Sequence, residues 1–369
     1  MHDLLFQPLE IGAMTLPNRV VMPALTRLRA VPEGIPQPIA ADYYAQRASA
    51  GLIVTEATAI TADGHGYPQM PGIHTRAQVA GWRRVTDAVH AAGGRIALQI
   101  VHHGRWSHSS YNADGRLPIA PSAVAPPGEI YSPTFTKLPY ETPRALKSWE
   151  IPLIVTDFAD AALRAVDAGF DAVEIHGANG FLLDQFLQDG SNHRVDEYGG
   201  PIENRARFLL NVVEQVGDDI GPERVGVRLS PHGNLGGLTD SDPVALFSYV
   251  ITRLSALRIA YLHLIEPRAS SAGIADDASV DSADNAALFR RLFEGPMITA
   301  GGYSAETGVQ VIERERADAV AFGRAFIANP DLPDRLRRNL PLNVFDRTTA
   351  YGGGAHGYTD YPALDAMEI

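Results

Sequence analysis

The stretch Ala172-Val-Glu-Ile-His-Gly-Ala-Asn-Gly-Phe-Leu-Leu-Asp-Gln-Phe-Leu187 contains the pattern on which the fold prediction rests. Its first six residues form a short aliphatic and β-branched run, which is typical of a strand buried on both faces of a parallel sheet. Two polar residues, His176 and Asn179, lie at the end of this run and just after it. The stretch therefore predicts a buried strand that delivers polar side chains to its carboxyl end.

The same kind of run recurs along the chain, and helix-patterned segments separate the runs. The predicted strands are residues 19–25, 52–58, 95–102, 172–177, 225–231, 261–267, 296–302 and 319–325. The predicted helices are residues 78–92, 156–168, 203–216, 243–257, 283–293 and 305–313. Eight strands that alternate with helices predict an α/β fold of the (β/α)8 TIM-barrel type, and a doubly wound sheet is the competing architecture.

Composition limits the classes of function. The chain has 369 residues, 45% of them hydrophobic, which suffices for one large barrel. Its formal net charge of −12 makes nucleic acid a poor partner. Cysteine is absent from the sequence, so disulfides and thiolate chemistry are excluded. With no signal-like N-terminus and no apolar run near the ~18 residues of a membrane span, we expect a cytoplasmic monomer or small homo-oligomer without membrane contact.

The barrel interpretation assigns regions of one domain, residues 1–369, to different places. Residues 1–18 are expected to cap the barrel mouth opposite the active face, and residues 340–369 to form a C-terminal tail. Residues 103–150, after the third strand, make too long a connection for an idle loop, so we expect a lid. Polar side chains should gather at the carboxyl ends of the strands. These are Thr26, Gln99, His102, His176, Asn179, Arg228 and Arg324.

Two glycine-containing segments follow the seventh and eighth predicted strands. Gly301 and Gly302 offer backbone N–H groups without side-chain obstruction, and Gly323 and Arg324 lie beside a helix start. Many barrels bind phosphate between these two loops. The alternative is two ordinary strand-to-helix turns with a surface arginine.

Several further segments occur together in an order that resembles the Old Yellow Enzyme family of FMN-dependent ene-reductases (NADH:flavin oxidoreductase / N-ethylmaleimide reductase-like proteins). The segments are Leu5-Phe-Gln-Pro-Leu9, Asn18-Arg-Val-Val-Met-Pro-Ala-Leu-Thr-Arg27 and residues 43–51, 55–58, 192–205 and 351–362. The resemblance implies a TIM barrel that binds FMN and takes hydride from NADPH or NADH, with NADPH preferred. It also implies that the two glycine segments hold the FMN phosphate.

Carried over to this sequence, the resemblance implies further cofactor contacts. Thr26 would hydrogen-bond the flavin O4 edge, and Gln99 and Arg228 would bind the pyrimidine edge, where a guanidinium favours the reduced flavin. The backbones of Pro23, Ala24 and Ala57 would lie against the ring. Without the resemblance, Thr26 is a turn hydroxyl, Gln99 a satisfied strand amide and Arg228 part of a buried ion pair.

The resemblance gives His176 and Asn179 the role of hydrogen-bond donors to the carbonyl oxygen of an acceptor, as hydride reaches its β-carbon. Enones, enals, maleimides and nitroalkenes are acceptors of this type. The alternative makes Asn179 a helix N-cap and His176 a structural histidine. Tyr67 and Tyr351 would be aromatic walls of the substrate site.

Phe181 departs from the family pattern, in which a tyrosine two residues after the asparagine donates a proton to the α-carbon. Phenylalanine has no proton to give. Three possibilities follow: alkene reduction with solvent as the proton source, reduction of nitrate esters, nitro compounds or quinones, or redox-neutral alkene isomerisation. Val101 is a second departure, because many relatives carry an aromatic residue there, and it should reshape the substrate site.

No metal site is predicted. His102, His103 and His108 lack a carboxylate partner at helical spacing, and the loop around them is rich in arginine and serine. A flavin-binding protein without turnover is the alternative from a different functional class.

Overall fold

The computed structural model describes residues 3–269 and 284–364, and within them eight parallel strands close into a barrel. The strands are β1 (Val20–Met22), β2 (Leu52–Val54), β3 (Ile96–Val101), β4 (Ala172–Gly177), β5 (Val225–Leu229), β6 (Tyr261–Ile265), β7 (Met297–Ala300) and β8 (Ala319–Ala321). Strand β8 pairs with β1, so every strand has two neighbours. The predicted TIM barrel is confirmed over the doubly wound sheet.

Helices surround the barrel and connect most of its strands. They are α1 (Pro38–Ala45), α2 (Arg76–Ala91), α3 (Ile151–Asp167), α4 (Leu182–Leu187), α5 (Ile202–Ile220), α6 (Pro243–Ala256), α7 (Asn285–Phe289), α8 (Ala305–Glu313), α9 (Gly323–Ala328) and α10 (Leu332–Arg338). The helix predicted from residue 283 begins outside the described residues, and its described part is α7 followed by a 3-10 turn. Helix α4 was not among the six predicted segments because it is buried on all sides and has no amphipathic period.

Each strand packs on both faces, as the aliphatic runs predicted. In β1, Val20 and Met22 contact the layer of helices, whereas Val21 points into the barrel interior. The interior is also filled by Tyr261, whose ring lies so close to Gly226 that a Cβ there would be 2.2 Å from the Tyr261 Cζ. Glycine at 226 is therefore required by packing.

An antiparallel hairpin, Leu9–Ile11 with Met14–Leu16, lies at the amino ends of the strands. Its apolar side chains join the cluster of the barrel interior. Its turn is anchored by the Ala13 N–H, which donates to the Glu223 carbonyl (2.9 Å) just before β5. The hairpin thus covers the mouth opposite the carboxyl ends of the strands.

Most predicted strands extended too far at their carboxyl ends, because apolar runs continue after the ladder stops. Pro23 follows β1 directly and has no N–H to continue the pairing. Gly301 follows β7 with a φ of 140°, outside strand geometry. The residues wrongly assigned to strands are therefore the loops that form the active face.

Residues 103–150 contain short strands of their own. Glu129–Tyr131 pairs antiparallel with Lys137–Pro139, and Ile119–Ala120 pairs parallel with Arg144–Ala145. Among the helices of the described residues, none combines the length and apolar character needed to cross a membrane.

Candidate active site

A cavity of about 1040 Å³ lies at the carboxyl ends of the barrel strands. Its walls include residues from the loops that directly follow β1, β7 and β8, which is where a TIM barrel carries its active site. The predicted site residues that line it are Pro23, Ala24, Thr26, Ala57, Tyr67, Gln99, His176, Asn179, Phe181, Arg228, Gly301, Gly302, Gly323, Arg324 and Tyr351. Residues far apart in sequence thus come together around one space.

Val101 is the predicted site residue that does not line this cavity. It is fully buried at the end of β3 and packs with Leu28, Met70 and Phe181 in a small apolar cluster. We predicted that Val101 contacts the substrate directly, and its fully buried position does not allow this contact.

Gln99 and Arg228 lie at the inner end of the cavity, on neighbouring parts of the barrel wall. The Arg228 side chain is almost fully buried, and its Nε has no hydrogen-bond acceptor among residues 3–269 and 284–364. Burial lowers the pKa of Arg228, although the nearby Glu174 carboxylate opposes this shift. The Gln99 amide donates from Nε2 to Glu174 (2.7 Å), so its oxygen remains as an acceptor. This donor and acceptor set suits the carbonyl and N–H groups of a flavin pyrimidine edge.

The two glycine segments lie on another side of the same cavity. Gly301 and Gly302 have φ values of 140° and 63°, which other residues rarely adopt. A Cβ at Gly301 would lie 2.9 Å from the Glu266 Cβ. Gly323 is the first residue of α9, beside Arg324. Exposed backbone N–H groups, a helix start and a guanidinium form a cradle that suits the phosphate of FMN.

His176 points into the cavity from the end of β4. It is 3% exposed, and its Nδ1 has no partner among the described residues. Burial, followed by the positive charge of Arg228, holds the pKa of His176 well below its usual range. The ring is therefore neutral and carries one N–H donor. The alternative made His176 a structural histidine hydrogen-bonded to backbone. Its Nδ1 makes no such bond to residues 3–269 or 284–364.

Asn179 reaches the cavity through a strained turn after β4. Its φ is 58°, and its N–H donates to the Ser230 Oγ (2.9 Å). The next residue, Gly180, also has a positive φ and donates its N–H to Asp184 (2.9 Å). Helix α4 begins at Leu182 after Phe181, without a side-chain cap, so the alternative in which Asn179 caps this helix is wrong.

Phe181 lines the cavity and is 7% exposed. Its ring makes edge contacts with His176 and His103, with centroid distances of 4.8 and 4.5 Å. His103 hydrogen-bonds the Gly64 carbonyl through Nδ1 (2.9 Å), and burial lowers its pKa to about 3. Tyr67 packs on the other side of His103, and burial raises the pKa of its hydroxyl to about 12. This wall of the cavity is therefore uncharged.

The cavity also includes residues that the sequence did not single out. Trp106, Tyr131 and Phe135 come from the long connection after β3, and Phe345 and Arg347 come from the C-terminal tail. Tyr131 and Phe135 are 47% and 50% exposed, as expected of aromatic side chains at a cavity mouth. A proline-rich segment with several aromatic residues was the available signal, but it could not indicate which of them face inward.

Metal ligands are not assembled at this site. In the two described ranges, no three His, Asp or Glu side chains are placed to hold a metal ion.

Comparison with known proteins gives consistent matches over nearly the whole chain. The model of the NADH:flavin oxidoreductase / NADH oxidase family matches residues 4–343. The 12-oxophytodienoate reductase 1 of Oryza sativa subsp. japonica is 43% identical over 367 residues, which cover 99% of this chain and 94% of that protein.

Solved structures agree with the sequence relatives. Morphinone reductase in complex with tetrahydroNAD superposes with a TM-score of 0.92 at 48% identity, covering 99% of each chain. The old yellow enzyme homologue from Zymomonas mobilis superposes with a TM-score of 0.93 at 44% identity, covering 98% of this chain and 99% of that one.

Proposed function

The chain belongs to the NADH:flavin oxidoreductase / NADH oxidase family and is an FMN-dependent NAD(P)H oxidoreductase of the Old Yellow Enzyme type, and from this premise we propose that it is an ene-reductase and propose its acceptor and its proton source. The acceptor is an alkene conjugated to a carbonyl group, such as an enone or an enal. The proton for the α-carbon comes from solvent, because residue 181 has no hydroxyl. The relatives named for reduction of 12-oxophytodienoate and of morphinone support an acceptor with a keto group.

FMN, when bound, would supply the hydride chemistry that connects the nicotinamide to the electron-poor carbon of the acceptor. We assign its pyrimidine edge to Gln99 and Arg228, its O4 edge to Thr26 and its phosphate to the glycine cradle with Arg324. The backbones of Pro23, Ala24 and Ala57, which line the cavity, would lie against the ring. The acceptor then occupies the part of the cavity between this inner end and the aromatic residues of the mouth.

The observation that carries the proposal is a neutral, buried His176 beside Asn179 at the edge of this cavity. When hydride reaches the β-carbon, negative charge develops on the carbonyl oxygen. The imidazole N–H and the Asn179 amide can both donate to that oxygen. A donor placed at a developing oxyanion is worth about 2.7–4 kcal/mol.

Phe181 supports a second candidate function on the same scaffold. A general acid contributes about 10²- to 10⁴-fold to the step it serves, so its absence favours acceptors that need no such proton. Quinones, nitrate esters and nitro compounds are acceptors of this kind, and redox-neutral alkene isomerisation also avoids net protonation by residue 181. Carbonyl-conjugated alkenes remain the first choice because His176 and Asn179 are both retained.

The test uses the purified holoenzyme under anaerobic conditions. NADPH reduces the enzyme, 2-cyclohexenone or menadione is added, flavin reoxidation is followed and the organic product is assayed. Reoxidation by the enone with formation of cyclohexanone supports the first function. Full reduction by NADPH followed by reoxidation with menadione alone would replace it with quinone reduction.

A further inference from the structure

Glu174 is a buried carboxylate inside the barrel, directly beneath the active-site cavity. It lies on β4 two residues before His176, so both side chains point to the barrel interior. In the strand register it is opposite Gln99 of β3. Both Glu174 and Gln99 are at most 1% exposed. A carboxylate in such a position needs specific partners, because an unpaired buried charge is costly.

Two hydrogen bonds hold the Glu174 carboxylate. Gln99 donates from Nε2 to Oε1 (2.7 Å), and His263 of β6 donates from Nδ1 to Oε2 (2.8 Å). Burial raises the pKa of Glu174, but His263, the two hydrogen bonds and the charge of Arg228 outweigh burial and bring this pKa to about 2. The carboxylate is ionised at neutral pH. Burial lowers the pKa of His263, and the Glu174 carboxylate opposes this shift.

The first consequence concerns the orientation of the Gln99 amide. Because its NH₂ group donates to an ionised carboxylate, its oxygen is the atom left for the cavity. An amide oxygen accepts a hydrogen bond from a flavin pyrimidine N–H, whereas an NH₂ group turned toward the cavity would meet that donor with another donor. Glu174 does not line the cavity itself, but it thus determines that Gln99 presents an acceptor to the cavity.

The second consequence concerns the charge at the inner end of the cavity. Glu174 interacts electrostatically with Arg228, whose buried Nε has no acceptor among the described residues. A buried guanidinium attracts electron density on a bound flavin, and a nearby carboxylate weakens that attraction. The net field at this end therefore depends on Glu174 as well as on Arg228.

We infer that Glu174, held by His263, is a positioning residue that limits how strongly the cavity prefers reduced over oxidised FMN. The inference rests on the proposed placement of the flavin pyrimidine edge against Gln99 and Arg228. It concerns the energetics of the cofactor and is independent of the identity of the acceptor.

The test measures the affinity of the holoenzyme's site for both redox forms of FMN. Glu174→Gln removes the charge and keeps the shape, so we expect reduced FMN to gain at least about tenfold in affinity relative to oxidised FMN. For a two-electron couple this is a rise of about 30 mV in the midpoint potential of bound FMN. Glu174→Asp keeps the charge, and its potential should stay close to that of the parent protein.

A matched control is Glu266→Gln, which changes another buried carboxylate of the barrel. Glu266 accepts hydrogen bonds from the Thr299 hydroxyl (2.9 Å), from the Asn285 and Ala286 N–H groups (2.8 and 3.2 Å) and from the Tyr303 hydroxyl (3.3 Å), and none of these partners is Gln99. Its loss should change the affinities for both redox forms alike. A purely structural role of Glu174 predicts the same behaviour for Glu174→Gln, and an unchanged potential in that variant would overturn the inference.

His263→Phe decides the matter if Glu174→Gln does not fold. Removing the His263 hydrogen bond leaves the charge of the ionised Glu174 carboxylate less compensated, so Arg228 is opposed more strongly and the potential should move in the opposite direction, downward. An unchanged or raised potential would overturn the inference. The placement of FMN is tested separately by Gln99→Ala. If that variant binds FMN with unchanged affinity and potential, the proposed cofactor site itself is wrong.

Discussion

The cavity has an inner end and an outer wall that are built differently. The inner end consists of Gln99, His176 and Arg228, which project from barrel strands and are at most 8% exposed. The outer wall consists of Tyr67, Trp106, Tyr131, Phe135 and Phe181, which lie outside the eight barrel strands. Polar groups on a hydrogen-bonded barrel are fixed in position, whereas loop residues can change with little effect on the fold. The departure at residue 181 therefore falls on the side to which we assign the acceptor.

The largest effect on catalysis is expected for His176 and Asn179, where the inner end meets the outer wall. The double variant His176→Ala and Asn179→Ala removes both donors to the acceptor oxygen. We expect reoxidation of the photoreduced enzyme by 2-cyclohexenone to slow by at least about 10²-fold. Reoxidation by molecular oxygen is the control, because it needs no bound carbonyl. Equal slowing with both oxidants, or none with the enone, would contradict the assigned role.

The proposed phosphate cradle lies on another side of the cavity from the aromatic wall and belongs to the part that we assign to the cofactor. Arg324→Ala removes a charged donor, and hydrogen bonds to charged groups are worth about 1.5–3 kcal/mol, so the dissociation constant of FMN should rise by about 10- to 150-fold. Fluorescence titration of the apoprotein with FMN measures this. Arg347→Ala, at another arginine of the cavity, is the matched control and should have a much smaller effect. Equal affinities in the parent and Arg324→Ala proteins would remove Arg324 from the site.

A substitution in the outer wall should increase the rate of alkene reduction. Phe181→Tyr places a hydroxyl on this wall, and a positioned acid exceeds solvent as a proton source. We expect cyclohexanone formation to rise by about tenfold, without a change in reduction by NADPH. Phe135→Tyr adds a hydroxyl to the same wall at an exposed position and is the control. A rate that is unchanged in Phe181→Tyr would mean that another group already donates efficiently.

The smallest expected effect concerns the pH dependence of stability. It arises from His103, which contacts Phe181 of the outer wall and is uncharged in the folded protein. The pKa of His103 is about 3 in the folded protein against 6.5 for the ordinary group. As pH falls below 6.5, the unfolded chain gains a proton that the folded protein does not, so stability is lost on acidification.

Between pH 6.0 and 5.5, this histidine should account for about 0.6 kcal/mol of that loss. His103→Gln keeps a donor for the Gly64 carbonyl and should reduce the loss by this amount. Urea unfolding of both proteins at the two pH values measures it. Identical pH dependence would show that the pKa of His103 is the same in the folded and the unfolded protein.

The sequence predicted the inner end of the cavity better than it predicted the outer wall. The barrel followed from eight apolar runs, and the two-residue period of a strand places Gln99, Glu174 and Arg228 inside it. Val101 shows the limit. It has the same parity as Gln99, but at the end of the strand it is fully buried in an apolar cluster with Phe181 and does not line the cavity. Trp106, Tyr131 and Phe135 could not be selected, because their direction depends on contacts distant in sequence.

The central claim is that hydride from the nicotinamide reaches the β-carbon of an enone while solvent supplies the α-proton. The most direct test turns over 2-cyclohexenone with NADPH that carries deuterium at the transferred C4 position, and then repeats the reaction with unlabelled NADPH in deuterium oxide. The account predicts one deuterium at the β-carbon of cyclohexanone in the first reaction and one introduced by the enzyme at the α-carbon in the second, after correction for exchange of the ketone. Consumption of NADPH without cyclohexanone, or a β-carbon labelled only from solvent, would contradict it.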